Sequence, residues 1–207
     1  MDLKENLKLT KGVTLIEVLL VGVITSLLGL GILALQYIIS QNQVVALQNV
    51  LNVEEANNFI TTMVREIRNI RPGDNAAYPL ERAQDQEMIF YSDIDFDGQS
   101  EKVRYTINGT QFVKGVIEPV GFPPTYPAGT EKVRVLSENV RNGPDSVFYY
   151  YNGDWPADTT NNPLPSPTRL SDTKLMRVYL KLNTKYDPRT DFVLESYVQI
   201  RMLKDNL

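Results

Sequence analysis

The chain has 207 residues, of which 43% are hydrophobic and 22% are charged, a composition that excludes disorder along the whole length. Its net charge of −4 gives nucleic acid no bulk electrostatic reason to bind, so we expect no nucleic-acid partner. The sequence contains neither Cys nor His, which excludes disulfides, thiol or imidazole catalysis and the commonest transition-metal ligands. Because no pair of carboxylates is singled out for hydrolysis either, we predict that the protein is not an enzyme.

A long apolar segment near the N-terminus is the strongest feature of the sequence. Residues 13–39 carry a single formal charge, at Glu17. At a rise of about 1.5 Å per residue, a helix of this length extends roughly 40 Å, which exceeds the ~30 Å hydrocarbon core of a bilayer. The segment therefore predicts one membrane-spanning helix.

The charges on either side of this segment predict its orientation. Three lysines precede it, and no Lys or Arg follows it before Arg65. The positive-inside rule then places residues 1–12 in the cytoplasm and the C-terminal domain on the extracytoplasmic side. A cleavable secretory signal is one alternative, but its apolar region should be only about 7–15 residues long and end at a small-residue site. A plain single-span anchor is the other alternative, and it explains everything except Glu17.

Glu17 is the charge that a plain anchor does not explain. A carboxylate within a spanning segment costs a few kcal/mol unless it is paired or neutralised. Glu17 stands five residues after Gly12, behind a short basic leader, in the sequence KGVTLIEVLL. This motif resembles the N-terminal motif of type IV pilins and type II secretion pseudopilins.

The resemblance implies a pathway of processing and assembly. In that family a prepilin peptidase cuts after the glycine and methylates the new N-terminus, which here implies a leader over 1–12, cleavage between Gly12 and Val13, and N-methylation of Val13. Glu17 is then the family's glutamate, which pairs with the N-terminal amine of a neighbouring subunit during assembly. An amine and a carboxylate in apolar surroundings are each costly alone and compensate one another when paired. The resemblance also implies a single-pass protein of the bacterial inner (cytoplasmic) membrane that enters a pilus or pseudopilus.

The helical pattern continues beyond the apolar segment with a different character. Over 40–71, apolar residues recur every three or four positions, which is typical of an amphipathic helix lying on a globular domain. Pro72 and Gly73 follow and end the pattern. Outside lipid, the apolar first half of so long a helix can be buried only against copies of itself. The sequence therefore favours assembly.

Residues 72–207 change to β-strand signals and complete an α+β fold, in which a long N-terminal spine helix lies on an antiparallel β-sheet domain. This architecture, with many strands, is similar to a J-type minor pseudopilin or a related minor pilin. Asn108-Gly109 predicts a two-residue hairpin, and two proline-rich stretches, 119–127 and 154–167, predict surface loops without structure of their own. The predicted strands are runs of β-branched and aromatic residues: 88–91, 103–107, 112–117, 133–136, 147–151, 175–182 and 192–202.

An acidic segment follows the first of these strands. Asp93, Asp95 and Asp97 alternate and a glycine follows, the D-x-D-x-D-G pattern of the first half of an EF-hand loop, whose oxygen ligands suit Ca²⁺. Arg104 occupies the position of the EF-hand's closing glutamate and strands flank the loop, so we expect Glu101 to close the site instead. The affinity would be weak, roughly 10⁻⁴–10⁻³ M. The other interpretation is a solvated acidic turn without a metal.

These features predict a minor pilin-like or pseudopilin-like structural subunit that is processed by a prepilin peptidase. It would assemble with other subunits into a type IV pilus or a type II secretion pseudopilus. The alternative is a single-span membrane anchor that displays a calcium-dependent β binding domain and has no filament role. A third possibility keeps the filament and makes the subunit a tip adhesin or a DNA receptor, but the lack of a basic aromatic patch argues against DNA.

Overall fold

The protein is described by a computed structural model over residues 12–183 and 191–201, without the side chains at 45, 48–52 and 55. Most of the predicted leader therefore lies outside the described residues. The first element is helix α1, Leu15–Arg68. The chain divides into two compact units, Met1–Val50 and Leu51–Leu207, so α1 contributes to both.

In the first unit, α1 is apolar and uncovered. The part from Leu15 to Val44 is long and apolar enough to cross a membrane, with a mean hydropathy of 2.6. Its large hydrophobic side chains are exposed, from Leu15 at 79% to Val44 at 54%. By length and composition the structure thus contains the predicted candidate membrane span.

In the second unit, α1 is amphipathic and its apolar stripe is buried in the domain. The buried positions recur every three or four residues, as the sequence pattern predicts: Ala56, Phe59, Ile60, Met63 and Ile67. At the end of the helix the backbone N–H groups of Asn69 and Ile70 donate to carbonyls three residues earlier, which tightens the last turn. Pro72 then follows.

The first sheet is a five-stranded antiparallel meander whose strands follow chain order. The predicted hairpin is present, but its turn lies one residue later than the predicted Asn108-Gly109. Asn108 pairs with Gln111, so Gly109 and Thr110 form the turn, and Gly109 has a φ of +62°. The sequence did not predict the first strand, a short edge strand without β-branched residues. The strands are β1 (Leu80–Ala83), β2 (Glu87–Ser92), β3 (Glu101–Asn108), β4 (Gln111–Ile117) and β5 (Lys132–Ser137).

The remaining strands form a second antiparallel sheet of three strands, where the sequence predicted a single sheet. They are β6 (Phe148–Tyr151), β7 (Leu175–Leu182) and β8 (Phe192–Gln199). Along β7 the side chains alternate between partly exposed and buried, the pattern of a strand with one face on the core. The backbone N–H groups of Val147 and Phe148 both donate to Asp85 O, which connects the two sheets.

The two proline-rich stretches, 119–127 and 154–167, contain no helix or strand, as predicted, and short ordered elements lie within or directly after them. Val120 and Thr125 form an isolated β-bridge, and a 3-10 helix covers Ala128–Thr130. The helix α2 (Arg169–Asp172) follows the second proline-rich stretch. Leu164 in that stretch is buried, and its backbone N–H donates to Tyr150 O at 2.7 Å.

One hydrophobic core joins the C-terminal part of α1 to both sheets. Aromatic rings run through it, with Phe59 5.7 Å from Phe112 and Phe112 6.5 Å from Phe148, measured between centroids. The chain is therefore of the predicted α+β class, with a long apolar N-terminal helix and antiparallel sheets.

Candidate functional sites at the start of the helix and in the acidic loop

Glu17 lies in the first turn of α1 and closes a capping box with Thr14. The Oε2 atom of Glu17 accepts hydrogen bonds from the backbone N–H and the hydroxyl of Thr14, both at 2.9 Å. In return, the backbone N–H of Glu17 donates to Thr14 Oγ1 at 3.4 Å. This reciprocal arrangement satisfies amide groups that the start of a helix leaves unpaired, at the end where the helix dipole favours negative charge. Glu17 thus has a partner within its own chain.

The predicted cleavage point lies just before this cap. Gly12 and Val13 are non-helical and exposed, and the side chain of Val13 is 73% exposed. Both residues are therefore accessible on the surface of the first unit. The predicted cleavage point, the capping threonine and the carboxylate all lie within six consecutive residues, 12–17.

The apolar part of α1 satisfies its own polar side chains. Between Val18 and Leu35 the polar residues are Thr25 and Ser26. The Thr25 hydroxyl donates to Val21 O at 2.8 Å, and the Ser26 hydroxyl donates to Gly22 O at 2.8 Å. Hydroxyls bonded to the preceding turn do not require water, so this surface is compatible with lipid or with another apolar helix.

The acidic loop covers residues 93–100, between β2 and β3. It brings Asp93, Asp95 and Glu101 together, with one carboxylate oxygen from each lying within 4.8 Å of the others. Asp95 is exposed, Asp93 is half-buried, and Glu101, at the start of β3, is only 1% exposed. Three of the four predicted metal ligands therefore converge.

Asp97 lies outside this group. Its Oδ1 accepts the backbone N–H of Gln99 at 2.7 Å, and its Oδ2 accepts the Gln99 side-chain amide at 3.1 Å. This carboxylate holds the turn of the loop rather than facing the other three. Equal spacing along the sequence does not bring all three aspartates to one point, because the backbone turns at Phe96, between Asp95 and Asp97, where φ is +66°.

The sequence did not identify Arg71 as part of this region. Its backbone N–H donates to Tyr91 O at 3.0 Å, which positions the side chain beside the loop. The guanidinium donates to Asp93 Oδ2 at 3.2 Å, to Gly98 O at 2.7 Å and to Ser100 Oγ at 2.7 Å. Arg71 follows a predicted helix, and nothing in its local sequence predicts contacts with residues 22–29 positions later.

The carboxyl group of Glu101, at the start of β3 beside the loop, has a raised pKa. Burial raises the pKa of Glu101 to about 7, although the hydrogen bond from the Ile94 N–H opposes this shift. The negative charges of Asp95 and Glu118 raise the pKa further. The Glu101 carboxyl is therefore short of positive charge, whereas Asp93 has Arg71.

The chain matches no protein-family model, and no curated protein matches it at a significant level.

Proposed function

We propose that this protein is a membrane-anchored filament subunit, similar to a minor pilin or pseudopilin, which is cut after Gly12 and methylated at Val13. The observation that supports this best is the uncovered apolar helix from Leu15 to Val44 with a carboxylate in its first turn. Exposed apolar surface costs about 25 cal/mol per Å² in water, so this helix requires lipid or other apolar helices around it. In a filament subunit, the helix would be surrounded by lipid before assembly and by the apolar helices of other subunits after assembly.

The second support is the motif itself. Gly12, the exposed Val13 and Glu17 have the spacing of the prepilin motif, ahead of an apolar segment with no further formal charge through 39. Cleavage would create an amine at Val13, close in sequence to the carboxylate. In an assembled filament Glu17 would exchange or share its bonds to Thr14 with the amine of a neighbouring subunit, which would fix the axial register of the helices.

The first experiment is the intact mass of the protein extracted from membranes of bacteria that have an active prepilin peptidase. The expected mass is that of residues 13–207 plus one methyl group. An uncut N-terminus under these conditions would overturn the proposal. The same strain without the peptidase is the control, and it should give the full chain.

A second experiment separates the charge of Glu17 from its capping role. Glutamine can also close a capping box, so Glu17→Gln removes the charge and keeps the cap. Thr14→Val removes the capping hydroxyl and keeps the charge. We expect Glu17→Gln to abolish incorporation into filaments, measured in sheared pilus fractions, and Thr14→Val to retain it. Normal incorporation of Glu17→Gln would contradict the pairing role.

The alternative function is a single-span anchor that displays the β domain at the membrane surface. The capping box favours it, because that contact explains Glu17 without any neighbouring subunit. Under this alternative the protein remains in the membrane, Glu17→Gln behaves as the wild type, and no filament fraction contains the protein. The two experiments above therefore distinguish the alternatives.

A further inference from the structure

The acidic loop holds more negative charge than its own chain neutralises. Asp93, Asp95 and Glu101 contribute three carboxylates whose nearest oxygens lie within 4.8 Å of one another. Among the described residues, the cation that contacts them is Arg71, which is bonded to Asp93. If all three carboxylates are ionised, this leaves an excess of two negative charges, which a divalent cation would balance.

Two of these carboxylates also keep one oxygen free. Within the described part of the chain, Glu101 Oε1 and Asp93 Oδ1 are buried and have no hydrogen-bond partner. The second oxygen of each is used, since Glu101 Oε2 accepts the Ile94 N–H at 2.8 Å and Asp93 Oδ2 accepts from Arg71 and Gly98. A buried acceptor without a partner is costly, and in native proteins it usually has a bound water or ion.

The geometry suits Ca²⁺. Calcium binds oxygen at about 2.3–2.6 Å, so two of its ligands lie at most about 5 Å apart, which agrees with the separation of the three carboxylates. Calcium also accepts carboxylates in monodentate or bidentate form and completes its shell with water. The exposed side of the group, at Asp95, gives water access to such an ion.

We infer that Asp93, Asp95 and Glu101 form a Ca²⁺ site in the β2–β3 loop, without Asp97. This inference does not depend on the proposed function, since it concerns the β domain and not the membrane helix. The ion would join the buried start of β3 to the exposed loop, while Arg71 joins the same loop to the end of α1. In a chain without cysteine, such an ion takes the place of a disulfide as a local restraint.

The test is Ca²⁺ binding to the full-length protein in detergent, after removal of divalent ions with a chelating resin. Isothermal titration with CaCl₂ measures the affinity, and thermal unfolding followed by the fluorescence of Trp155 measures the effect on the domain. At about 100 times the dissociation constant, we expect CaCl₂ to raise the unfolding midpoint by about 5–10 °C. An unchanged midpoint and no heat of binding in 10 mM CaCl₂, which is about 10 times the weakest expected dissociation constant, would overturn the inference.

Two variants and one matched control test the ligand set. Asp95→Asn and Glu101→Gln should each weaken Ca²⁺ binding at least tenfold, and Asp95→Asn is exposed, so it tests the site without disturbing buried structure. Asp97→Asn changes the third aspartate of the same motif and should alter the affinity less than twofold. Equal losses in Asp97→Asn and Asp95→Asn would contradict the assigned ligands. MgCl₂ that binds as tightly as CaCl₂ would contradict the assignment to calcium.

Discussion

Lys114 Nζ lies 2.6 Å from Glu66 Oε1, and this ion pair connects β4 to α1 inside the domain. The side chains are only 14% and 5% exposed, respectively. The hydroxyl of Tyr105 donates to the other oxygen of Glu66, also at 2.6 Å, so the buried carboxylate has a partner on each side. Burial, together with the negative charge of Glu66, raises the pKa of Tyr105 well above its usual value. The pair therefore fixes how the last turns of α1 lie on the first sheet.

Removing the lysine should destabilise the domain strongly. Lys114→Met leaves the charge of Glu66 buried with a single neutral partner, and we expect the free energy of unfolding to fall by about 3 kcal/mol. Lys132→Met is the matched control, because Lys132 pairs with Glu118 at the surface, where the side chains are 74% and 43% exposed. That change should stay within about 0.5 kcal/mol. Urea denaturation of the detergent-solubilised chain measures both, and equal losses would contradict a special role for the buried pair.

The absence of a side chain at Gly115 leaves room for the ion pair between Arg104 and Glu131. Gly115 lies opposite Arg104 in the sheet, and a Cβ at this position would lie 1.9 Å from Glu131 Oε1. Glu131 makes two hydrogen bonds to the Arg104 guanidinium, at 2.7 and 2.9 Å. Gly115→Ala should displace the carboxylate and lower the free energy of unfolding by about 1–2 kcal/mol. In a Glu131→Ala background the same change should cost less than about 0.5 kcal/mol, and additive effects in the double-mutant cycle would refute this explanation.

The raised pKa of Glu101 predicts a pH dependence in the absence of divalent ions. The folded chain holds the Glu101 proton up to pH about 7, whereas the unfolded chain releases it near the ordinary value of 4.5. The contribution of Glu101 to the free energy of unfolding is therefore most favourable below pH about 4.5, and it decreases as the pH rises to about 7. The melting temperature of the wild type, minus that of Glu101→Gln, should fall over this interval in chelator-treated buffers. A difference that is constant with pH would contradict the raised pKa.

Asn162 organises the second proline-rich stretch. Its Oδ1 accepts the backbone N–H of Asn152 at 2.9 Å, and its Nδ2 donates to Asn152 Oδ1 and to Asp158 O at 2.8 and 2.9 Å. Asn162 is only 8% exposed, so Asn162→Ala removes the partner of the Asn152 N–H and of Asp158 O and should cost about 2 kcal/mol of unfolding free energy. Its exposed neighbour Asn161 is the control, and Asn161→Ala should cost less than about 0.5 kcal/mol. Chemical denaturation compares the two, and similar costs would show that this network does not order the loop.

Elements with strong periodicity could be predicted from the sequence. The buried positions from Phe59 to Ile67 follow the helical repeat, and β7 alternates between core and surface as its sequence indicates. Each of the seven predicted strands is present, with bounds shifted by at most three residues among those described, and the predicted end of the last strand at Met202 lies outside the described residues. The strand β1 was missed because its sequence, LERA, has no β-branched or aromatic residue and is defined by pairing with β2.

Long-range relationships could not be predicted in the same way. The way the two sheets connect depends on contacts such as those of Val147 and Phe148 with Asp85, more than 60 positions earlier, for which no local pattern exists. In the acidic loop, the sequence predicted a group of four carboxylates, of which Asp93, Asp95 and Glu101 converge and Asp97 does not, and it did not identify Arg71. Which carboxylates converge depends on where the loop turns and on which side chain reaches in from the end of α1.

The hydroxyls of Thr25 and Ser26 donate to carbonyls of the preceding helical turn, which affects the contacts that the apolar helix can make with its neighbours. With those two hydroxyls bonded to the helix backbone, the surface from Val18 to Leu35 presents mainly apolar side chains to its surroundings. Against lipid or another apolar helix, such a surface offers no side-chain hydrogen bond or charge that would favour one rotation about the helix axis or one axial position. A polar group that can select one orientation of the helix lies just before this stretch, at the Glu17 carboxylate.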